Sequence, residues 1–402
     1  MTPDERRASA SLSLVFACRM LGLFLVLPVF ALEAARYPGG SDPAVVGLAM
    51  GIYGLTQGLL QIPFGLASDR WGRKRVILAG LVVFAAGSFV AALADTLAGL
   101  VVGRALQGAG AVSAAVTALL ADQTRDEVRT KAMAMVGASI GLMFAVSLVA
   151  APALAGRIGL PGLFVLTGLL ALACMASVVW WAPPEPAGHK NVARGRLSEV
   201  LLHAPLLRLN VGVFVLHAVQ LAMWVAVPAL LVQAGLAKER HWLVYLPAVL
   251  ASFAVMAATL FPLERRGYLR AVFLAAIGLV GAVQLVLWAA ADAPRLALLG
   301  AALFLFFCGF NVLEATQPSM ASRIAPPQAR GAALGVYNTL QSLGFFAGGA
   351  VGGWLVRHVG MDGLFAACAV LMGLWLVVAW PMQAPRRSPS PEEVLADEAQ
   401  AT

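Results

Sequence analysis

Two ionisable side chains, Arg19 and Glu314, lie deep inside long apolar segments of the 402-residue chain. A charged group in the hydrocarbon of a membrane is costly and usually marks an ion pathway or a proton relay. At 1.5 Å per helical residue, Arg19 lies about 13 Å and Glu314 about 12 Å from the nearer end of its segment. We therefore predict that Glu314 binds and releases a proton. The alternatives are a static ion pair and an acid that reaches out to the membrane interface.

A second pair of charges is a further candidate for proton transfer. Arg104 lies in the fourth apolar segment, and Glu33 lies near the outer end of the first, within reach of an arginine side chain. The same pair could instead be structural and hold two helices together. His217 in the seventh segment is a secondary proton candidate because imidazole titrates near neutral pH. A lone buried histidine is otherwise packed and hydrogen-bonded.

Polar and aromatic side chains recur at steps of three and four residues in several segments, which places each group on one face of a helix. A mixed aromatic and amide face suits a cavity for a moderately apolar small molecule. Ordinary helix packing is the alternative. The candidate cavity residues are Tyr53, Gln57, Gln61, Gln107, Gln220, Trp224, Phe307, Phe310, Asn311, Gln317, Asn338, Gln341 and Phe345.

The composition is that of a protein lying almost entirely within a membrane. Hydrophobic residues make up 60% and charged residues 12%, against about 45–50% and about 25% in soluble domains. A helix needs about 20 apolar residues to cross the hydrocarbon. Segments of this kind lie at 11–35, 45–67, 76–94, 97–121, 132–156, 162–183, 208–234, 243–263, 269–291, 296–321, 332–356 and 363–382. The sequence therefore predicts an all-α integral membrane protein with twelve transmembrane helices.

The distribution of basic residues predicts the orientation of the chain. With the N-terminus inside, the inner segments carry twenty Lys and Arg residues and the outer loops carry six. Cytoplasmic loops are enriched in Lys and Arg, so both termini are predicted to be cytoplasmic. The net charge of +8 is explained by this asymmetry, and no nucleic-acid partner is needed to account for it.

The polar stretch between the second and third segments carries the most specific motif. It reads G-x-x-x-D-R-x-G-R-K over residues 65–74. This pattern resembles the signature loop between helices 2 and 3 of the major facilitator superfamily of membrane transporters. The resemblance implies twelve helices in two parallel six-helix halves, and a gating loop formed by Gly65, Asp69, Arg70, Gly72, Arg73, Lys74 and Asp122.

The resemblance also implies what the loop does. Asp69 would face the N-terminal end of helix 11, near Arg330, where the helix dipole favours a carboxylate. Arg70 or Arg73 would reach Asp122 at the inner end of the fourth segment. These contacts would hold the two halves together on the cytoplasmic side. Alternatively, the basic loop does no more than orient the chain in the membrane.

Other motifs extend the resemblance. Residues 104–108 carry an R-x-x-Q-G pattern that the superfamily links with proton transfer, and residues 18–29 resemble YajR-type members. Helices 1, 4, 7 and 10 of the superfamily line a central cavity, which implies that Arg19 and Glu314 come from opposite halves and face each other. YajR-type members can carry a soluble domain after helix 12, and we expect none in this chain.

A weak internal repeat predicts the domain organisation. At an offset of 201 residues, Gly159 matches Gly360 and the pair Leu163-Phe164 matches Leu364-Phe365. Six crossings return a chain to its starting side, so the halves would run parallel. We predict an N-terminal bundle over 1–183, a cytoplasmic linker over 184–207, a C-terminal bundle over 208–383 and a short cytoplasmic tail over 384–402.

These observations predict a secondary active transporter of a bacterial-type inner membrane that works by alternating access. Proton-coupled antiport, exporting a small organic or drug-like compound, is the favoured form. An importer, a lipid mover and a copper transporter are alternatives on the same scaffold. No metal-ligand cluster, phosphate loop or nucleophile elbow occurs in the sequence, so we expect no enzymatic activity. We expect a monomer in the lipid bilayer, with H⁺ as coupling ion and no other cofactor or metal.

Overall fold

The computed structural model describes residues 1–185, 200–326 and 329–383, and the regular elements in these ranges are all helical. A π-helical turn, Ser177–Trp181, follows α7, and a 3₁₀ turn, Lys238–Arg240, precedes α9. The α-helices are α1 Pro3–Phe24, α2 Leu27–Ala34, α3 Pro43–Trp71, α4 Arg73–Ala92, α5 Leu97–Ala109, α6 Ser113–Asp122, α7 Asp126–Ala176, α8 Ala204–Gln233, α9 Trp242–Arg265, α10 Leu269–Ala290, α11 Leu296–Ile324 and α12 Arg330–Ala379.

Within the described residues, ten helical stretches are long and apolar enough to cross a membrane. The pair α1–α2 forms one such stretch, and the pair α5–α6 forms another. The predicted all-helical membrane architecture is thus confirmed. Most of the predicted linker and the whole predicted tail lie outside the described residues. The last four linker positions, 204–207, belong to α8 instead, because that helix begins at Ala204.

Two of the stretches are broken in the middle. The α1–α2 break falls at residues 25–26, directly before Pro28, whose ring leaves no backbone N–H to donate. The α5–α6 break falls at Gly110, which lies so close to α4 that an added Cβ would stand 2.5 Å from the carbonyl oxygen of Gly80. Each break comes six residues after a buried arginine, Arg19 or Arg104.

The two longest helices each contain one sharp break at a glycine. In α7 the break is Gly159, with φ 64° and ψ −176°, and in α12 it is Gly360, with φ 79° and ψ 178°. Only glycine adopts such angles without steric penalty. These two glycines are the pair that the offset of 201 residues aligns in the sequence. The repeat therefore marks a shared backbone feature, and both sites interrupt a helix of about 75 Å at 1.5 Å per residue.

The bundle has two ends, which we call the terminal face and the opposite face. The terminal face holds the start of α1 and the α3–α4 turn, whereas the opposite face holds the α2–α3 and α8–α9 connections. Near the opposite face, α3 packs directly on α12 through glycines. A Cβ at Gly47 would stand 2.2 Å from the carbonyl oxygen of Gly349, and one at Gly353 would stand 2.3 Å from that of Pro43. Only glycines permit this approach of two backbones.

This close approach does not continue to the terminal face. Added Cβ atoms at Gly331 and Gly335, at the start of α12, would meet no atom within 4 Å. The close contacts between α3 and α12 end near Gly58, where an added Cβ would meet Leu343 at 3.2 Å. The two helices therefore pack at the opposite face and through the middle of the bundle, and they separate toward the terminal face.

Candidate functional site

Glu314 on α11 lies in a cluster with His217 on α8 and Gln341 on α12. Its Oε2 atom is 3.2 Å from Nε2 of His217, and Nε2 of Gln341 is 3.4 Å from its Oε1 atom. Nε2 of Gln341 also lies 2.7 Å from Nε2 of His217. Three helices thus contribute one polar side chain each, and the imidazole is packed edge-on against Phe345, with ring centroids 4.9 Å apart.

The contacts of the imidazole define what it can do. Nδ1 of His217 lies 2.8 Å from the backbone oxygen of Val213, which only accepts hydrogen bonds, so Nδ1 carries a hydrogen. In the neutral ring Nε2 is then an acceptor and can receive the amide hydrogen of Gln341. A carboxylate oxygen of Glu314 beside the same atom is favourable only with a proton between the two groups. Nε2 of His217 therefore faces both the amide group of Gln341 and the carboxyl group of Glu314.

Glu314 is the accessible member of this pair. Its side chain is 39% exposed, whereas that of His217 is 2% exposed. The carboxyl group points toward α8 and α12, and its Oε2 atom is buried against His217. The exposed fraction of Glu314 therefore belongs to the rest of the side chain.

Arg19 on α1 does not contact Glu314, so the expectation that the two side chains face each other is wrong for this structure. Its guanidinium group instead donates hydrogen bonds to the hydroxyl of Ser113 on α6, to the hydroxyl of Tyr53 at 2.9 Å and to Oε1 of Gln57 at 2.9 Å. The rotation of α1 about its own axis points Arg19 toward α3 and α6.

Side chains of α3 and α12 lie between the two charges. Nε2 of Gln57 donates to Oγ of Ser342 at 3.1 Å, and Ser342 follows Gln341 in the chain. A polar layer, which we define as Arg19, Gln57, Ser342, Gln341, His217 and Glu314, therefore crosses the bundle from α1 to α11. Arg19 and Glu314 stand at the two ends of this layer.

The predicted pair of Arg104 with Glu33 is also wrong. Glu33 binds Arg36 at 3.1 Å, and it binds Lys238 in the turn before α9. Arg104 is 1% exposed and donates to Oε1 of Gln107 at 3.0 Å. Glu33 lies at the end of α2, beyond the α1–α2 break. The direction of its side chain therefore does not follow from helical spacing counted along α1.

Arg104 belongs to a buried cluster between α3, α4 and α5. Its guanidinium carbon lies 5.0 Å from the ring centroid of Tyr53, in a cation–π contact. Gln107 in turn donates to Oγ of Ser88 at 2.8 Å. These contacts hold the arginine and the glutamine of the R-x-x-Q-G motif inside the helix packing.

The predicted cavity residues divide into two groups. Those partly exposed, and therefore available to line an opening, are Gln57, Asn338, Gln341 and Phe345. Those buried are Tyr53, Gln61, Gln107, Gln220, Trp224, Phe307, Phe310, Asn311 and Gln317. Asn311 donates to Ser252 on α9 at 2.8 Å and Trp224 packs edge-on against Tyr245, so for these two the packing interpretation is correct.

The signature loop pairs its charges on the N-terminal side of the chain. Arg73 contacts Asp122 at 3.1 Å, as predicted, and also contacts Asp69. The contact of Asp69 with the start of α12 stays a prediction. An added Cβ at Gly331, at the start of α12, would meet no atom within 4 Å. Gly72 has φ +96°, which explains the glycine at this turn.

Glu185, which sequence reasoning missed, holds the loop in place. Its carboxylate accepts hydrogen bonds from the backbone N–H groups of Arg73 at 3.1 Å and Lys74 at 2.6 Å, at the start of α4. A carboxylate at a helix N-terminus is favoured by the unpaired N–H groups and the helix dipole. The signal was an isolated acid in the basic stretch that follows Pro184, but its partner lies more than a hundred residues earlier.

The described residues contain no group of three or more His, Cys, Asp or Glu side chains placed to hold a metal ion. The polar layer accordingly offers one acid, one imidazole and one guanidinium group, with amide and hydroxyl groups between them. Such a set can bind protons and charged or hydrogen-bonding groups of an organic molecule.

Comparison with known proteins identifies the family. Residues 12–349 and 263–401 match the family model described as Major Facilitator Superfamily. The chain belongs to the Major Facilitator Superfamily. The resemblance inferred from the signature loop is thus confirmed.

Individual relatives agree with this assignment. The inner membrane transport protein YajR of Escherichia coli K12 is 43% identical over 96% of this chain and 85% of its own length. The class B tetracycline resistance protein of Escherichia coli is 30% identical over 40% of each chain. The solved structure of a bacterial homologue of the human lysosomal transporter Spinster has a TM-score of 0.74 at 14% identity, covering 94% of this chain and 97% of that one, which shows the fold alone. The protein is a multi-pass inner-membrane transporter of this superfamily.

Proposed function

We propose that the protein is a proton-coupled secondary transporter of a small organic compound, and that it works by alternating access. The observation that carries this proposal is the contact of Glu314 with His217 at 3.2 Å, made by an acidic side chain that is 39% exposed. A shared proton on an accessible acid is what coupling to a proton gradient requires. The position of Glu314 in the middle of a membrane helix is costly unless it serves such a purpose.

The architecture that we propose has twelve crossings in two six-helix halves. A helix of 51 residues, such as α7, is about 75 Å long, which is more than twice the hydrocarbon thickness of about 30 Å. The breaks at Gly159 and Gly360 allow α7 and α12 to count as two crossings each. The terminal face is then cytoplasmic, in agreement with the basic charge of its loops.

In this architecture the structure corresponds to a state that is open to the cytoplasm. The contacts of α3 with α12 close the opposite face, and the start of α12 is open at the terminal face. Closing the terminal face would bring α3 and α12 together beside Gln341 and would change the surroundings of Glu314. Burial favours the neutral acid, so this movement would couple proton binding to the direction of access.

One form of the proposed transport is export by antiport. Two relatives named for drug resistance support this form: the class B tetracycline resistance protein and the multidrug resistance protein MdtH of Aeromonas hydrophila, the latter 28% identical over 86% of this chain. A second form, symport that imports an anion together with the proton, is favoured by Arg19, whose charge has no acidic partner among the described residues. The coupling ion is H⁺ in both forms.

The experiment that tests the proposal measures substrate-dependent proton flux in proteoliposomes under an imposed pH gradient. The panel contains tetracycline, lipophilic cations and amphipathic carboxylates. Glu314→Gln is compared with Asp292→Asn, which removes an exposed acid from the α10–α11 turn. We expect at least one compound to drive flux in the wild type and in Asp292→Asn, and none to do so in Glu314→Gln. Equal flux in the two variants would contradict the role of Glu314.

A further inference from the structure

The charge of Arg19 is surrounded by neutral groups alone. The side chain is 2% exposed, and its partners are two hydroxyl groups and one amide oxygen. Its Nε–H group is buried without an acceptor. No carboxylate of the described residues lies within ion-pair distance. Since a buried charge without a counter-ion is strongly unfavourable, this site is incomplete unless an anion joins it.

A second positive charge lies beside the first. The guanidinium group of Arg104 stacks on the ring of Tyr53, whose hydroxyl group receives the hydrogen bond from Arg19. Its partners are likewise neutral, the amide oxygen of Gln107 and the backbone oxygen of Met50 at 3.4 Å. Its Nε–H group is also buried without an acceptor. Two arginines therefore share one tyrosine and create a positive field at one end of the polar layer.

This positive field can be reached from the interior opening. Gln57, whose Oε1 atom accepts from Arg19, is partly exposed and lies next to α12 through Ser342. An anionic group that enters between α3 and α12 would replace the amide oxygen of Gln57 on Arg19. A carboxylate there matches the planar fork of a guanidinium group and forms the stronger, charge-assisted hydrogen bonds.

An aromatic layer lies next to the polar layer. Phe24 on α1, Phe144 on α7 and Phe307 on α11 contact one another edge to face, with centroid distances of 5.0 Å and 6.0 Å. Phe24 follows Arg19 along α1, and Phe307 precedes Glu314 along α11, which runs in the opposite direction. Both phenylalanines therefore lie on the same side of the polar layer, toward the opposite face. All three side chains are buried in this state, so the apolar part of a compound bound at Arg19 would contact them by displacing some of their packing partners.

We propose that the transported compound is an amphipathic organic anion, whose carboxylate binds Arg19 and whose apolar part contacts the aromatic layer. This assignment rests on the transport site proposed above and names its substrate class. A bound anion favours the neutral form of the nearby Glu314, so proton and substrate strengthen each other's binding. With such a substrate the protein works in the symport form.

The test measures binding to the purified full-length protein by isothermal titration calorimetry between pH 6 and pH 8. The probes are three compounds of the same shape: 4-phenylbutyrate, its neutral amide 4-phenylbutyramide and the cation 4-phenylbutylamine. We expect the carboxylate to bind about tenfold or more tightly than the other two, the ratio that one charge-assisted hydrogen bond supports. We also expect its affinity to rise as the pH falls, through Glu314.

Matched variants locate the effect. Arg19→Gln should lose the preference for the carboxylate, and Arg19→Lys should keep part of it because it keeps the charge. Arg323→Gln, which removes an exposed arginine at the terminal face, should behave like the wild type. If Arg19→Gln does not fold, the test is whether Arg19→Lys prefers the carboxylate over the amide less strongly than the wild type does. Equal binding of carboxylate and amide by the wild type, or unchanged preference in Arg19→Gln, would overturn the assignment.

Glu314→Gln separates this inference from the proposed function. The variant mimics the neutral acid, so it should bind the carboxylate as tightly as the wild type does at pH 6, without the dependence on pH. It should at the same time lose proton flux in proteoliposomes. Binding that fails while flux persists would refute the anion assignment alone, and flux that persists in Glu314→Gln would refute the proposed proton site alone.

Discussion

The two faces of the bundle pair their charges differently. At the opposite face, ion pairs join residues 1–185 to residues 200–383: Lys238 binds Glu33, and Arg357 binds Asp42. At the terminal face, the ion pairs of the described residues stay within one of these parts, as in Arg73–Asp122 and Arg323–Glu264. Contacts that cross between the parts hold one face closed, whereas contacts inside each part leave the other face free to open.

The largest expected effect comes from the glycine contact at the opposite face. Gly353→Val would place a branched side chain where a Cβ already stands 2.3 Å from the backbone oxygen of Pro43. Overpacking of this kind costs about 1–3 kcal/mol, and a backbone atom cannot move aside as a flexible side chain can. We expect a wider opposite face, measured as the distance between spin labels on the α2–α3 and α8–α9 connections.

Gly373→Val is the matched control for this change. Gly373 lies on the same helix, α12, but an added Cβ would meet no atom within 4 Å. Its label distances should equal those of the wild type. Equal distances in both variants would mean that the glycine contact does not hold the opposite face closed.

The second-largest effect is expected when the more buried of the two ion pairs at the opposite face loses its lysine. Glu33 is 3% exposed, so Lys238→Gln leaves a buried carboxylate with only the solvent-exposed Arg36 beside it. We expect a loss of about 2–3 kcal/mol from the closed opposite face, near the range for broken buried pairs. The measurement is the fraction of molecules in which the spin labels on the α2–α3 and α8–α9 connections stand at the longer distance.

Arg357→Gln is the control for the buried pair. Its partner Asp42 is 27% exposed and Arg357 itself is 54% exposed. An exposed pair contributes about 0–1 kcal/mol, so the population should change little. A larger shift for Arg357→Gln than for Lys238→Gln would contradict the ranking by burial.

A third, smaller effect concerns the terminal face. Glu185→Gln removes the carboxylate from the start of α4, where it binds two backbone N–H groups. Loss of such a capping group costs about 1 kcal/mol. Faster hydrogen exchange is expected at the amides of Arg73 and Lys74, with unchanged spin-label distances at the opposite face. A change at the opposite face would show that the signature loop also acts between the two parts in this state.

The smallest effect is expected for Arg323→Gln, which breaks an exposed pair with Glu264 inside the C-terminal part. Such a pair contributes about 0–1 kcal/mol, and the thermal unfolding temperature should stay close to that of the wild type. The labels at the opposite face should not move. A widened opposite face would mean that terminal-face pairs also hold the two parts together.

Much of the local chemistry followed from the sequence because it depends on neighbours along the chain. The apolar segments correspond to helices, and the signature loop brings Arg73 to Asp122 as expected. Glu314 was recognised as a costly charge, and His217 as a second titratable group. Their direct contact was not expected, because it depends on how α8 and α11 pack.

The two wrong pairings have the same physical origin. Position along a helix gives only the expected depth of a residue in the membrane. The direction of a side chain also depends on rotation about the helix axis and on breaks such as the one between α1 and α2. Arg19 therefore points to Tyr53 and Gln57, and Glu33 reaches Lys238 instead of Arg104.

The sequence by itself determined the membrane class, the superfamily and the residues that carry charge in the hydrocarbon, because hydropathy and short motifs are local properties. Only the tertiary structure decided the partners of those charges: the contact of Glu314 with His217, and two buried arginines without a carboxylate partner among the described residues. These contacts join residues as far apart as 94 positions for Arg19 and Ser113 and 285 positions for Gln57 and Ser342. Contacts at such separations are set by the packing of whole helices, which no local pattern encodes.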